Sequence, residues 1–83
     1  TDVWSSMGEE NQKEEKDKVF NGFTINNDLV CKAEKDVIIL HCLPAYRSKE
    51  ITDEVFESKK NRIFDQAENR LHAQQALLSC LLY

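Results

Sequence analysis

Four apolar residues, Val37-Ile38-Ile39-Leu40, run directly into His41-Cys42-Leu43-Pro44-Ala45-Tyr46-Arg47, and this junction constrains the fold more than any other stretch. An uninterrupted Val/Ile block suits a strand buried on both faces, as in a parallel sheet. Ligands of open α/β sheets sit outside the carboxyl ends of the strands, which is where His41 and Cys42 would be delivered. Pro44 stops the strand because it has no N–H to give to a ladder. The Leu43–Pro44 bond is a candidate for a cis peptide.

The flanking elements follow from punctuation. Thr1-Asp2-Val3-Trp4 reads as the end of a strand with Asp2 near its tip, as though the chain begins inside an element. Ser5 to Gly8 is a loop, and Ser6 with Glu9 forms a capping-box pattern. A polar helix is predicted from Gly8 or Glu9 to Asn21, with Glu9–Lys13 and Glu14–Lys18 as i,i+4 pairs, Val19 and Phe20 as anchors and Gly22 as the stop. Phe23-Thr24-Ile25 is extended, and Asn26 or Asn27 caps a short helix with Leu29, Val30 and Ala33 on one face. Thr52 caps the next helix, with Asp53 and Glu54 in its first turn and Ile51 and Phe56 at staple spacing. Arg62-Ile63-Phe64 is a second short buried strand. A last helix runs from about Glu68 to Leu82, with Leu71, Leu78 and Leu82 on one face and Leu77 and Leu81 beside it.

The order strand–helix–helix–strand–helix–strand–helix is an α/β pattern. With 83 residues the chain is at most one small domain. So few short strands cannot cover both faces of a sheet, which predicts part of a larger doubly wound parallel-sheet domain. The net charge of −4, with Lys59-Lys60 and Arg62 as the basic cluster, argues against a nucleic-acid or anionic-membrane surface. No apolar stretch is long enough to span a bilayer, and no signal peptide is recognisable. Three widely spaced cysteines form no Cys-x-x-Cys pair, which suits a reduced, cytoplasmic compartment better than a disulfide framework or zinc site.

Several residues carry two readings each. Cys42 is either a small buried hydrophobe or a thiol at a ligand site. Cys31 and Cys80 read as packing residues. His41 points to the opposite face from Cys42 if strand geometry persists, which favours a histidine bonded to a backbone carbonyl over a direct Cys–His couple. His72 belongs on a surface or interface. Asp2 is a loop cap or a carboxylate aimed at an amine, and Ser6 is a helix cap or a ligand hydroxyl. Arg70, near the predicted head of the last helix, pairs with an acid or offers a forked donor to an oxyanion or phosphate. There is no glycine-rich phosphate loop, metal-ligand cluster or Ser-His-Asp order.

Taken together, three motifs carry a resemblance. Asp2-Val3-Trp4 followed by Ser6-Met7-Gly8, His41-Cys42-Leu43-Pro44, and Glu68-Asn69-Arg70 resemble, in order and separation, the Asp-x-Trp-x-Ser-Met-Gly, His-Cys-Leu-Pro and Glu-Asn-Arg motifs of the ornithine carbamoyltransferase family. The resemblance covers nearly the whole chain. It implies a C-terminal piece, roughly the last quarter, of a longer enzyme: residues 1–83 as part of the ornithine-binding domain, with the carbamoyl-phosphate domain and its Ser-x-Arg-Thr-Arg loop upstream. It also implies transfer of a carbamoyl group from carbamoyl phosphate to L-ornithine, giving L-citrulline and phosphate, without a cofactor or metal. By the same resemblance Asp2 and Ser6 contact the ornithine α-amino group and Met7 offers its backbone. Cys42 sits beside the δ-amine, the Leu43 carbonyl holds the carbamoyl NH2, and Arg70 binds carbamoyl phosphate and polarises the group under attack. Met7 after Ser6 favours ornithine over aspartate or putrescine. The family assembles as trimers or multiples of trimers with sites between subunits, so this chain alone is expected to be inactive. Two alternatives stand beside this reading: a catalytically silent remnant or interaction module, and a related carbamoyltransferase acting on another amine.

Overall fold

Short parallel pairings, rather than long strands, organise the computed structural model, which describes residues 1–82. Ile25 pairs with Ile51 and Ile39 with Asn61, both in parallel, and a third bridge joins Arg47 to Ile51. Each of the first two pairings is held by two backbone bonds. Ile25 N–H donates to Glu50 O at 2.9 Å and Thr52 N–H to Ile25 O at 3.1 Å; Ile39 N–H donates to Lys60 O at 2.9 Å and Arg62 N–H to Ile39 O at 3.0 Å. The parallel direction matches the α/β expectation. The segment 1–4 forms no regular strand; Thr1 N instead donates to Leu40 O at 3.0 Å.

Four α-helices lie before, between and after these pairings: α1 (Lys13–Val19), α2 (Asn27–Cys31), α3 (Asp53–Phe56) and α4 (Ile63–Leu82). A 3-10 turn, Glu10–Gln12, precedes α1, so the polar helix starts later and ends earlier than its composition suggests. Half of the predicted capping box forms, with Ser6 N–H donating to Glu9 Oε2 at 3.3 Å. Glu9 pairs with Lys16 rather than Lys13, and Asp17 with Lys49 at 2.9 Å. Neither predicted i,i+4 pair, Glu9–Lys13 or Glu14–Lys18, forms among the described residues. Past α1, Gly22 takes φ +96°, a conformation open to glycine at little cost. Asn26 caps α2, accepting from Leu29 N–H at 2.9 Å, and Thr52 caps α3, accepting from Val55 N–H at 3.3 Å. Only Val30 of the expected α2 face packs on the core; Leu29 is exposed and Ala33 lies beyond the helix.

The core is Ile39, Ile51, Val55, Phe56 and Ile63, with Ile25, Val30, Leu43 and Ala45 packed around it. Ile51 and Phe56 thus meet as their staple spacing predicts. The Val37–Leu40 run, however, is buried on one face only. Ile39 is 6% exposed whereas Ile38 is 52% exposed. Side chains alternate across an extended segment, and among the described residues no element covers the Ile38 and Leu40 side.

α4 corrects two expectations. Ile63 is its first residue, not part of a strand, because Asn61 Oδ1 accepts from Ile63 N–H at 2.6 Å and starts the turn. The Arg62-Ile63-Phe64 strand therefore shrinks to the Ile39–Asn61 bridge, and the helix begins five residues before Glu68. Beyond Ile63 the helix exposes Leu71, Leu77, Leu78, Leu81 and Leu82. Cys31 and Cys80 are exposed as well, so neither acts as a packing residue here. No described helix is long and apolar enough to cross a membrane.

Candidate functional site

The turn after Ile39 is built by hydrogen bonds to two buried side chains. His41 and Glu50 are each 1% exposed. His41 Nε2 lies 2.8 Å from Glu50 Oε1, and the same oxygen accepts Tyr46 N–H at 2.8 Å. His41 Nδ1 accepts Leu43 N–H at 2.8 Å. The expected carbonyl partner of His41 is thus a carboxylate on one nitrogen and a backbone amide on the other. Leu43 takes φ +56°, unusual for a residue with a side chain, and the Leu43–Pro44 bond is cis as the sequence suggested.

His41 and Cys42 point apart, as strand geometry predicts: the imidazole goes inward and the thiol is exposed. Cys42 Sγ instead donates to Asp2 Oδ1 at 3.2 Å, joining the first motif to the second across 40 residues. Asp2 Oδ1 also accepts Val3 N–H at 2.7 Å. The thiol hydrogen bond, followed by the Val3 amide, lowers the Asp2 pKa from its ordinary value. The hydrogen bond to Asp2, followed by desolvation on burial, raises that of Cys42. A carboxylate beside a thiol that keeps its proton is poorly suited to make a thiolate nucleophile. It is well suited to hold an amine, which can donate to the carboxylate and to sulfur.

The Ser6–Gly8 loop lies beside this turn. Gly8 takes φ +90°. Trp4 fastens the base of the loop, with Nε1 donating to Phe23 O at 3.2 Å and its ring stacked on Phe20 at 6.3 Å. Ser6, Met7, Asp17, Tyr46, Lys49 and Glu50 contribute to the lining of one cavity of about 100 Å³. The loop and the buried Glu50 therefore share a space, and the Lys49–Asp17 ion pair is part of its lining.

The third motif is attached through α4. Gln66 Oε1 accepts His41 N–H at 3.0 Å. Arg70 follows Gln66 by one turn on the same helix face, about 6 Å further along the axis. No ion pair to Arg70 is present among the described residues, so the acid-pairing alternative is not realised. Because α4 starts at Ile63, Arg70 lies past the first turn and gains little from the helix N-terminus. His72 is exposed, 3.8 Å from Glu68.

Arg47, beyond the turn, binds Asp53 at 3.0 Å and Glu57 at 2.6 Å and lies 4.3 Å from the centre of the Phe56 ring. It fastens the turn to α3. Glu50 and Gln66 were not singled out from sequence. The signal for Glu50 was indirect: a buried His41 requires a polar partner.

The family model for the aspartate/ornithine carbamoyltransferase Asp/Orn-binding domain matches residues 1–81. An ornithine carbamoyltransferase of Prochlorococcus marinus subsp. pastoris is 90% identical over all 83 residues, which make up 27% of that relative. One from Pyrococcus horikoshii is 52% identical over 99% of the chain and 26% of its own length. Among solved structures, an anabolic ornithine carbamoyltransferase from Campylobacter jejuni superposes with a TM-score of 0.89 at 54% identity, covering 98% of this chain and 27% of that one. The Pyrococcus furiosus enzyme gives 0.83 at 53% identity, covering 95% and 25%. The chain spans about a quarter of the length of the relatives it matches.

Proposed function

This chain belongs to the aspartate/ornithine carbamoyltransferase family, and from that premise we propose that it is the ornithine-side portion of an ornithine carbamoyltransferase, active only within a full-length polypeptide. The observation that carries the reading is the 3.2 Å Asp2–Cys42 contact, which unites two distant motifs at one exposed spot.

In the reaction, the ornithine δ-nitrogen bonds to the carbonyl carbon of carbamoyl phosphate. The carbon–oxygen bond to phosphate breaks with its electron pair leaving on phosphate, and the nitrogen sheds a proton that the departing phosphate takes up. The amine must be deprotonated and held in line with the carbonyl. Cys42 supports that as an orienting group beside the amine. Asp2 Oδ1 already takes the thiol and the Val3 amide, which leaves Oδ2 for the substrate. Asp2 Oδ2 and Ser6 receive the α-amino group, and Met7 offers its backbone on the same loop. The Leu43 carbonyl accepts from the carbamoyl NH2. Arg70, without an acid partner, binds carbamoyl phosphate and stabilises charge developing on the carbonyl oxygen. The carbamoyl-phosphate domain lies outside these residues, and the full-length protein works as a homotrimer, or a multiple of trimers, in the cytoplasm as part of arginine metabolism.

The test replaces the matching segment of the Prochlorococcus relative with residues 1–83 and assays carbamoylation of ornithine, putrescine and acetylornithine. Ornithine is expected to be preferred by at least about a hundredfold, as a site built around a charged α-amino group rejects amines lacking it. Equal or better rates with putrescine or acetylornithine would make this a carbamoyltransferase for another amine.

A further inference from the structure

The His41–Glu50 pair is buried, and Glu50 also lines the cavity it shares with Ser6 and Met7. A backbone N–H can only donate, so the Leu43 contact makes His41 Nδ1 an acceptor. The ring proton then resides on Nε2 and donates to Glu50 Oε1, 2.8 Å away. Glu50 Oε1 also takes Tyr46 N–H, so one carboxylate oxygen ties together both ends of the 41–46 turn. Between them Leu43 holds φ +56°, a conformation that a leucine keeps only when its surroundings over-determine it.

The geometry points to Glu50 as a positioning residue for the Leu43 carbonyl, acting through the tautomer of His41; this rests on the carbamoyl-transfer function proposed above. With Glu50 in place, only the Nε2–H tautomer satisfies both neighbours, and that tautomer holds the Leu43 amide. Without Glu50, only the Leu43 N–H weighs on the tautomer, and a buried Nε2–H loses its acceptor, which brings the two tautomers closer in energy. An Nδ1–H ring would aim a donor at the Leu43 donor and release the backbone that presents its carbonyl to the carbamoyl group.

The second carboxylate oxygen makes the claim sharp. Glu50 Oε2 is buried and has no hydrogen-bond partner. Glutamine can put its amide nitrogen there and keep Oε1 as the acceptor for both donors, with some loss of stability because the buried NH2 has no acceptor among the described residues. The acceptor oxygen carries the role, not the charge.

The experiment uses the full-length graft with Glu50→Gln and Glu50→Ala, assayed for citrulline, alongside nitrogen-15 spectra of labelled histidine with the His41 signal assigned by its loss in His41→Gln. Glu50→Gln is expected to stay within about threefold of the unsubstituted graft. Glu50→Ala is expected to lose about 10- to 100-fold in kcat/KM for carbamoyl phosphate, the scale of an ångström-sized misplacement, with KM for ornithine changed less than threefold. The His41 signal should report Nε2–H in the unsubstituted graft and in Glu50→Gln, and a tautomer mixture in Glu50→Ala. An Nδ1–H signal in the unsubstituted graft overturns the proposal even if Glu50→Ala fails to fold. Loss in Glu50→Gln equal to that in Glu50→Ala overturns it in favour of a role for charge. If the graft made no citrulline the carbamoyl-transfer reading would fail, while the spectra would still decide whether Glu50 sets the tautomer.

Discussion

Met7 and Leu43 stand in two motifs of the same family, yet the chain holds them in opposite ways. Met7 is 81% exposed on a loop whose amides, Ser6 and Gly8, are bound by the surface carboxylates of Glu9 and Glu10. Leu43 packs on the core, and its amide is bound by a buried imidazole that is itself bound by a buried carboxylate. The difference separates two demands. Presenting a carbonyl to a reacting group needs geometry fixed before substrate arrives. Gripping an amino acid's polar end needs groups that solvent and substrate can reach. Interior burial supplies the first, and an exposed loop with a glycine at φ +90° supplies the second.

The comparison breaks most easily at its buried end. Ile63 is fully buried beneath the turn. Ile63→Ala in the full-length graft is expected to cost about 2–5 kcal/mol in denaturant unfolding, whereas Met7→Ala should stay within about 0.5 kcal/mol. Similar losses at the two positions would erase the distinction between them.

A smaller effect sharpens the exposed side. Asp2 holds the Cys42 thiol above its ordinary pKa, so removing the carboxylate should bring it down. Asp2→Asn is expected to shift the alkylation midpoint of Cys42 to lower pH and to speed alkylation at any pH below that midpoint. The converse sign holds for Asp2, whose depressed pKa adds stability above the ordinary carboxylate range that is lost as pH falls through the lowered value. Both groups are exposed, so that stability term is small. An unchanged midpoint in Asp2→Asn would mean that the contact does not persist in solution.

Local punctuation made much of this chain legible. Asn26 and Thr52 each act within a few residues, and each cap falls where the sequence puts it, as does the cis Leu43–Pro44 bond. The opposed faces of His41 and Cys42 followed from strand alternation. What failed turned on partners that spacing alone does not single out. Glu9 found Lys16 instead of Lys13, and Glu14–Lys18 does not form among the described residues. The α4 start was missed because Asn61 sits among charged residues that read as a turn, and Ile63 reads equally as strand or helix. Ile38 and Leu40 looked buried because composition records apolarity, not whether an element lies above it. Glu50 and Gln66 were invisible because nothing in a lone acid or amide announces which buried amide it will meet.

The most direct test is citrulline formation by the full-length graft carrying Cys42→Ala or Arg70→Ala, with folding checked by its thermal transition. The account predicts a loss of about a hundredfold or more in each, Arg70→Ala through carbamoyl phosphate and Cys42→Ala through ornithine, at unchanged stability. Citrulline formation unchanged in both variants would contradict it.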